Sequence, residues 1–388
     1  MAKVKLNELA NIYLGVTHTP EYVFEGVPFL SVKDISGGKI CFDDCKYISK
    51  EEYDSLSEGA KPKVGDMMFC RVGTLGKPII IPEGTPLFGT FVSLGYLRNR
   101  NSDRCDLNYL KYWMYSNSFW KQVNANVKGA SQVNLNTGWL SKFDIDLPGI
   151  AEQRYRISVL DKCKSVIEKR EAELAALDNL IKARFVEMFG DPIQNPKGWE
   201  VVTIGDIVTE VRYGTSKPAV EGGKYPYLRM NNLTADGHLD LNDLKYIDIP
   251  DDEIEKCVVR KGDVLFNRTN SIELVGKTAV FDLPEDMIIA GYIIRVRLTE
   301  KMLPEVLSQY MNLEALKGIL RGMAKGAVNQ ANINAQELQS IKVYIPEMEL
   351  QKQFVKMKEQ IYKSKVAVQK ALDETQMLFD SLMQEYFR

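Results

Sequence analysis

Two short tracts carry side chains suited to reading a patterned polar ligand. Lys128 precedes Gln132, Asn134 and Asn136, and Lys325 precedes Gln330, Asn332 and Asn334 in the same order. A primary amide donates and accepts at once, so Asn and Gln match the donor–acceptor pair of an adenine edge. Arg and Lys match the acceptors of guanine and the oxygens of phosphate. The same amides could instead cap turns or hold the strand that follows, and the two readings stand side by side.

Other chemistry is poorly supplied. The stretch Ser271-Ile272-Glu273-Leu274-Val275-Gly276-Lys277-Thr278 nearly spells a phosphate-binding loop, but Ser271 stands where the first glycine belongs and Pro284 follows before a helix could form. A β-turn is the expected structure. Two histidines, His18 and His238, and six scattered cysteines, with only Cys41 and Cys45 close together, leave no ligand set for zinc and no triad for a hydrolase. The carboxylate pairs Asp43-Asp44 and Asp251-Asp252 read as solvated turns. Neither an Asn/Asp-Pro-Pro-Tyr/Phe tetrapeptide nor a glycine loop for S-adenosylmethionine is found, so no catalytic site and no metal site is expected.

The amide tracts recur because the chain is a tandem duplication. At a shift of 197 to 199 positions Gly15 falls on Gly214, Pro28 on Pro226, Leu30 on Leu228, and Gly65, Asp66, Phe69 and Arg71 on Gly262, Asp263, Phe266 and Arg268. Pro148 and Gln153 fall on Pro346 and Gln351. Arg71 and Arg268 are thus candidates for ligand contact, although a shared position favours phosphate or structural duty. Base reading belongs where the halves differ. Arg229, Asn231 and Asn232 stand opposite Ser31, Lys33 and Asp34, which makes Lys33, Arg229, Asn231 and Asn232 candidates for half-specific readout.

The elements that must position these residues follow the same repeat. Residues 1–150 and 191–346 mix β-rich runs such as "DMMFCRV" and "DVLFNRT" with one helical segment each, and so read as mixed α and β domains. Residues 151–190 and 347–388 read as long helices, the first ending at Gly190-Asp191-Pro192. A seven-residue apolar ladder runs through Leu160, Ile167, Leu174 and Ile181 in one and Phe354, Ile361, Val368 and Leu382 in the other, which is the spacing of a coiled-coil seam. Alternate seam positions are mixed, with Leu177 and Leu378 apolar but Arg170, Arg184 and Ser364 polar. The expected class is α+β: two homologous domains separated by two antiparallel helices about 60 Å long, related by a pseudo-twofold axis.

Composition bounds the partners. With 45% hydrophobic and 26% charged residues the 388-residue chain is a folded protein of two or three domains. A net charge of −2 excludes a polycation that holds DNA by charge alone, so a nucleic-acid surface must be local. No apolar run spans a bilayer and no signal peptide opens the chain, so a cytoplasmic location without membrane contact is expected.

The duplicated stretches "KGASQVNLNTGWLSKFDIDLPGIAEQ" (128–153) and "KGAVNQANINAQELQSIKVYIPEMELQ" (325–351), with the junction "FGDPIQNPKGWEVVTIGDI", resemble the specificity subunit of type I restriction-modification systems. The resemblance spans essentially the whole chain. It implies two target-recognition domains carried on two spacer helices, binding double-stranded DNA. It also implies two methyltransferase subunits that supply S-adenosylmethionine chemistry, and restriction subunits that use ATP with magnesium. The amide tracts could then meet the methyltransferase instead of DNA. A coiled-coil scaffold that binds no nucleic acid is the competing reading. One departure is local: the second copy reads Glu349-Leu350-Gln351 where the first reads Glu152-Gln153.

Overall fold

The computed structural model describes every residue except Met1, Ser36, 127–133 and 328–329, together with the backbone but not the side chains of Ala2, 325–327 and 330. The chain divides into two compact units, residues 1–170 with 371–388, and residues 171–370.

The first unit holds two four-stranded sheets. Ala10–Leu14, Leu94–Asn99, Met67–Cys70 and Gly76–Ile80 pair in that order, all antiparallel. In the other, Tyr22–Val23, Lys46–Ile48 and Val27–Leu30 are antiparallel, and Gly89–Thr90 joins parallel. The second unit repeats the first sheet and the three-strand core of the other, whose fourth strand lies at the opposite edge. Val208–Tyr213, Ile293–Leu298, Val264–Asn267 and Thr278–Val280 form the first sheet, and Lys245–Ile247, Tyr225–Leu228, Met287–Ile289 and Val258–Val259 the second. The runs "MMFC" and "VLFN" sit inside their sheets with all residues buried, which explains apolar side chains at successive positions instead of alternating ones.

Each domain's expected single helical segment is two helices. Leu107–Tyr115 is followed by Asn117–Asn126, and Pro304–Asn312 by Glu314–Met323. The breaks fall at Ser116 and Leu313, whose extended backbones end one helix and start the next. The apolar faces fill the cores, with Trp113, Phe119 and Phe143 in the first unit and Tyr310, Leu316 and Leu320 in the second. Burying each such side chain stabilises by about 1.5–3 kcal/mol.

Two long helices, Ile150–Phe189 and Met348–Tyr386, contribute to both units. In the first, Arg156 Nη1 donates to the Tyr386 carbonyl at 2.9 Å, and the Phe387 ring packs at a tilt of 42° against Tyr109, centres 4.8 Å apart. In the second, Lys365 Nζ meets Asp178 and Phe185 packs edge-on against Phe354 at 5.3 Å. In the second unit rising numbers on one helix therefore face falling numbers on the other. Of the ladder, Leu160, Ile181, Phe354 and Ile361 are buried, and Ile167, Leu174, Val368 and Leu382 half-buried. Leu378 is a correction: it is 53% exposed, on the solvent side of its helix.

Gln153 and Gln351 sit in identical, fully buried seats. Gln153 accepts from the Asp106 N–H and donates to the carbonyls of Arg104 and Pro148, and Gln351 accepts from Leu303 and donates to Lys301 and Pro346. Each glutamine stands five residues after its matched proline, so the local departure adds no residue: Leu350 stands where Glu152 does, and the glutamine equivalence is intact. A part-buried ion pair is likewise repeated, Arg98 with the buried Asp66 and Arg297 with the buried Asp263.

Candidate nucleic-acid interface

In the second unit the carboxyl ends of four strands converge. Val208–Tyr213 runs into Thr215, Tyr225–Leu228 into Arg229, Val264–Asn267 into Arg268, and Met287–Ile289 into Ala290. Their loops line a groove of about 480 Å³ that presents Lys217, Arg229, Asn231, Arg268 and Tyr292. The approach of the loops requires Gly214, where a Cβ would lie 2.2 Å from the Ile289 carbonyl oxygen; Gly15 meets the Thr90 carbonyl in the same way.

The three cations are held differently. Lys217 Nζ pairs with Glu253 at 2.8 Å, and Arg229 Nη2 with Asp243 at 2.7 Å. The Arg268 guanidinium lies 4.8 Å from the centre of the Tyr213 ring and has no ion pair or side-chain hydrogen bond among the described residues. Tyr213 is itself fixed, because its hydroxyl accepts the Ala335 N–H at 2.8 Å. Tyr292, 51% exposed, stands at the rim. An unneutralised planar cation over one exposed tyrosine, in a groove rimmed by another, is a surface that can stack on bases and bond to anions or base edges.

In the first unit the corresponding arginine is occupied. Arg71 gives its side chain to backbone carbonyls, and burial holds its pKa below the ordinary value. Arg71 and Arg268 both take the backbone oxygen of a loop partner, Ser93 in one case and Tyr292 in the other, so Ser93 stands where Tyr292 does. Leu14 likewise stands where Tyr213 does, each just before the matched glycine.

The remaining candidates divide. Asn136 and Asn334 are helix caps, accepting the N–H of Gly138 and those of Gln336 and Glu337. Asn332 accepts the Thr269 hydroxyl at 2.9 Å. Asn232 is corrected outright: at 2% exposure it caps its own turn through Arg229 N–H and reaches the Asp240 carbonyl, as Asp34 does for Ser31. Arg71 spends its Nε and Nη1 on carbonyls inside the fold, the structural duty that its shared position favours. Lys33 donates to the Asp44 carbonyl at 2.8 Å, the task that Arg229 performs on Asp243. Asn134 and Asn231 are exposed. Lys128 and Gln132, and the side chains of Lys325 and Gln330, lie outside the described residues.

Lys277 lies in the turn expected of the phosphate-loop look-alike, and it faces inward. Its Nζ donates to the carbonyls of Met230 and Leu233, bracing the turn that carries Asn231 into the groove, and burial lowers its pKa. Sequence reasoning missed Lys217, Tyr213 and Tyr292. The available signal was aromatic residues with cations just beyond apolar strands, in one half only.

The family model for the type I restriction modification DNA specificity domain matches residues 196–375. The chain is 23% identical to the type I restriction enzyme EcoKI specificity subunit of Escherichia coli, over 99% of this chain and 87% of that one. It is 32% identical to the type I restriction enzyme MjaX specificity subunit assigned in Methanocaldococcus jannaschii, over 42% of this chain and 39% of that one. A solved chain described in work on complex assembly and conformational transition of the type I R-M system superposes with a TM-score of 0.62. It has 19% identity and coverage of 100% of this chain and 97% of the other.

Proposed function

Because the chain belongs to the family of type I restriction-modification specificity subunits, we propose that it reads a two-part, asymmetric DNA target and places a separate adenine methyltransferase upon it. It recognises DNA and carries no reaction of its own. In this reading each unit contains one target-recognition domain, 1–150 or 191–346, and the helical segments 151–190 and 347–388 form the antiparallel, pseudo-twofold spacer that fixes the interval between half-sites. S-adenosylmethionine belongs to two methyltransferase subunits and ATP with magnesium to restriction subunits, all in the cytoplasm.

The observation that carries the reading is a repeated frame with unlike surfaces. Gln153 and Gln351, and the Asp66 and Asp263 ion pairs, recur residue for residue, while the groove residues around Arg268 do not. Equal frames give equal placement on two segments of DNA, and unequal side chains give unequal bases.

The test is methylome sequencing of cells with and without the gene, followed by a salt titration of DNA binding by the chain with its methyltransferase. A gapped motif with two different halves, and affinity that falls steeply with salt, is expected. A contiguous or palindromic motif would overturn the two-part reading. No DNA binding at any salt concentration would favour the scaffold.

A further inference from the structure

We propose that Arg268 reads a guanine in the half of the target taken by the second unit. The inference rests on DNA recognition as the function and goes beyond it by naming one residue and one base. Three features of the groove lead there. First, Arg268 occupies a position shared with Arg71, but only Arg268 has no acceptor for its guanidinium among the described residues. Second, its guanidinium is seated over the Tyr213 ring before any ligand arrives, and that ring is anchored through Ala335. Third, its Nε is already shut from solvent without a partner, so folding has stripped part of the group of water.

A flexible, hydrated cation suits phosphate, which accepts a charge from many directions. A planar fork seated on an aromatic ring suits two acceptors in a fixed plane, and guanine O6 and N7 supply that pair in the major groove. The neighbouring cations do not compete for the role, because Lys217 and Arg229 are each neutralised by a carboxylate. The terminal nitrogens of Arg268 remain for the base, with Tyr292 at the rim beside them.

The experiment uses the chain assembled with its methyltransferase, and duplexes that carry each single base-pair change across the methylated motif. Wild type, Arg268→Ala, Arg268→Lys and Arg71→Lys are compared. The wild-type complex should penalise loss of one particular G·C pair roughly tenfold to a hundredfold. Arg268→Ala should erase that penalty alone, Arg268→Lys should retain only part of it, and Arg71→Lys should leave it whole. Thermal unfolding checks each variant, and Arg268→Lys decides if the alanine variant does not fold. Uniform weakening at every position, with a salt slope reduced by about one, would make Arg268 a phosphate contact and overturn the proposal. An unchanged profile would overturn it too. If wild type shows no base preference at all, DNA reading itself fails, which is a separate result.

Discussion

The Nε of Arg71 donates to the carbonyl of Leu135, 64 residues further along the chain, at 3.0 Å, while its Nη1 donates to the carbonyl of Val92 at 2.8 Å. One guanidinium thus ties the end of a central strand to two separate loops. The backbone supports the same junction, with Leu135 N–H donating to the Arg71 carbonyl and Arg71 N–H to Ser93.

Arg71→Ala should therefore act on stability. It leaves two part-buried carbonyls without their donor, a loss of about 1–3 kcal/mol. The urea midpoint should fall with an unchanged m-value, while base preference stays as in wild type. A variant as stable as wild type that loses DNA affinity would reverse the assignment.

The glutamine seats give a paired prediction. Gln153→Leu and Gln351→Leu should each destabilise by roughly 1–3 kcal/mol for every polar group left unmet. The glutamate variants should be worse near neutral pH, because a second carboxylate oxygen would then face two carbonyls that need a donor. Denaturation curves of the four variants check this, and a glutamate variant as stable as wild type would contradict the hydrogen-bond directions.

The duplication was legible because it rests on glycines, buried strands and the Gln153 and Gln351 seats, where backbone geometry permits few residue types. The amides were not. Asn suits a base edge and a helix cap equally well, and only the Asn334…Glu337 spacing, a capping-box signature, could have separated them. The groove was hidden for a different reason. Tyr213, Lys217, Arg229, Arg268 and Tyr292 span 80 positions and meet only when two sheets bring four strand ends together. Comparing the halves did not help there, since Arg71 and Arg268 match in sequence and differ in surroundings.

Lys317 should make stability depend on pH. Burial, with a smaller contribution from Arg321, pushes its pKa down to about 8, and its Nζ donates to the Gly276 carbonyl at 2.5 Å. The unfolded chain, with an ordinary lysine near 10.4, binds the proton more tightly. Between pH 8 and about 10 the unfolded state therefore carries more protons, and this residue's contribution to stability rises with pH. Urea midpoints of wild type and Lys317→Met at pH 7, 8, 9 and 10 should show the wild type gaining on the variant as the pH rises. A difference between the two proteins that does not change with pH would refute the shift.

The proposed spacer predicts a change of interval. Seven residues added to each long helix, beside Ala172 and beside Ala371, keep the ladder in phase and lengthen both by about 10.5 Å. The unspecified gap in the methylated motif should grow by about three base pairs at ~3.4 Å each, with both half-site sequences retained. Methylation at the original gap would show that the helices do not set the interval.

The first unit is discontinuous, closing with residues 371–388 after the whole of the second has intervened. Those last residues put Phe387 into the first core against Tyr109, and Tyr386 beneath Arg156. On the ribosome the order of synthesis and the order of completion therefore part company. The continuous second unit has all its residues available first, while the earlier-made first unit waits for residues 371–388 to emerge with part of its apolar core uncovered. A stalled or prematurely stopped chain would then show its defect in the half that was made first.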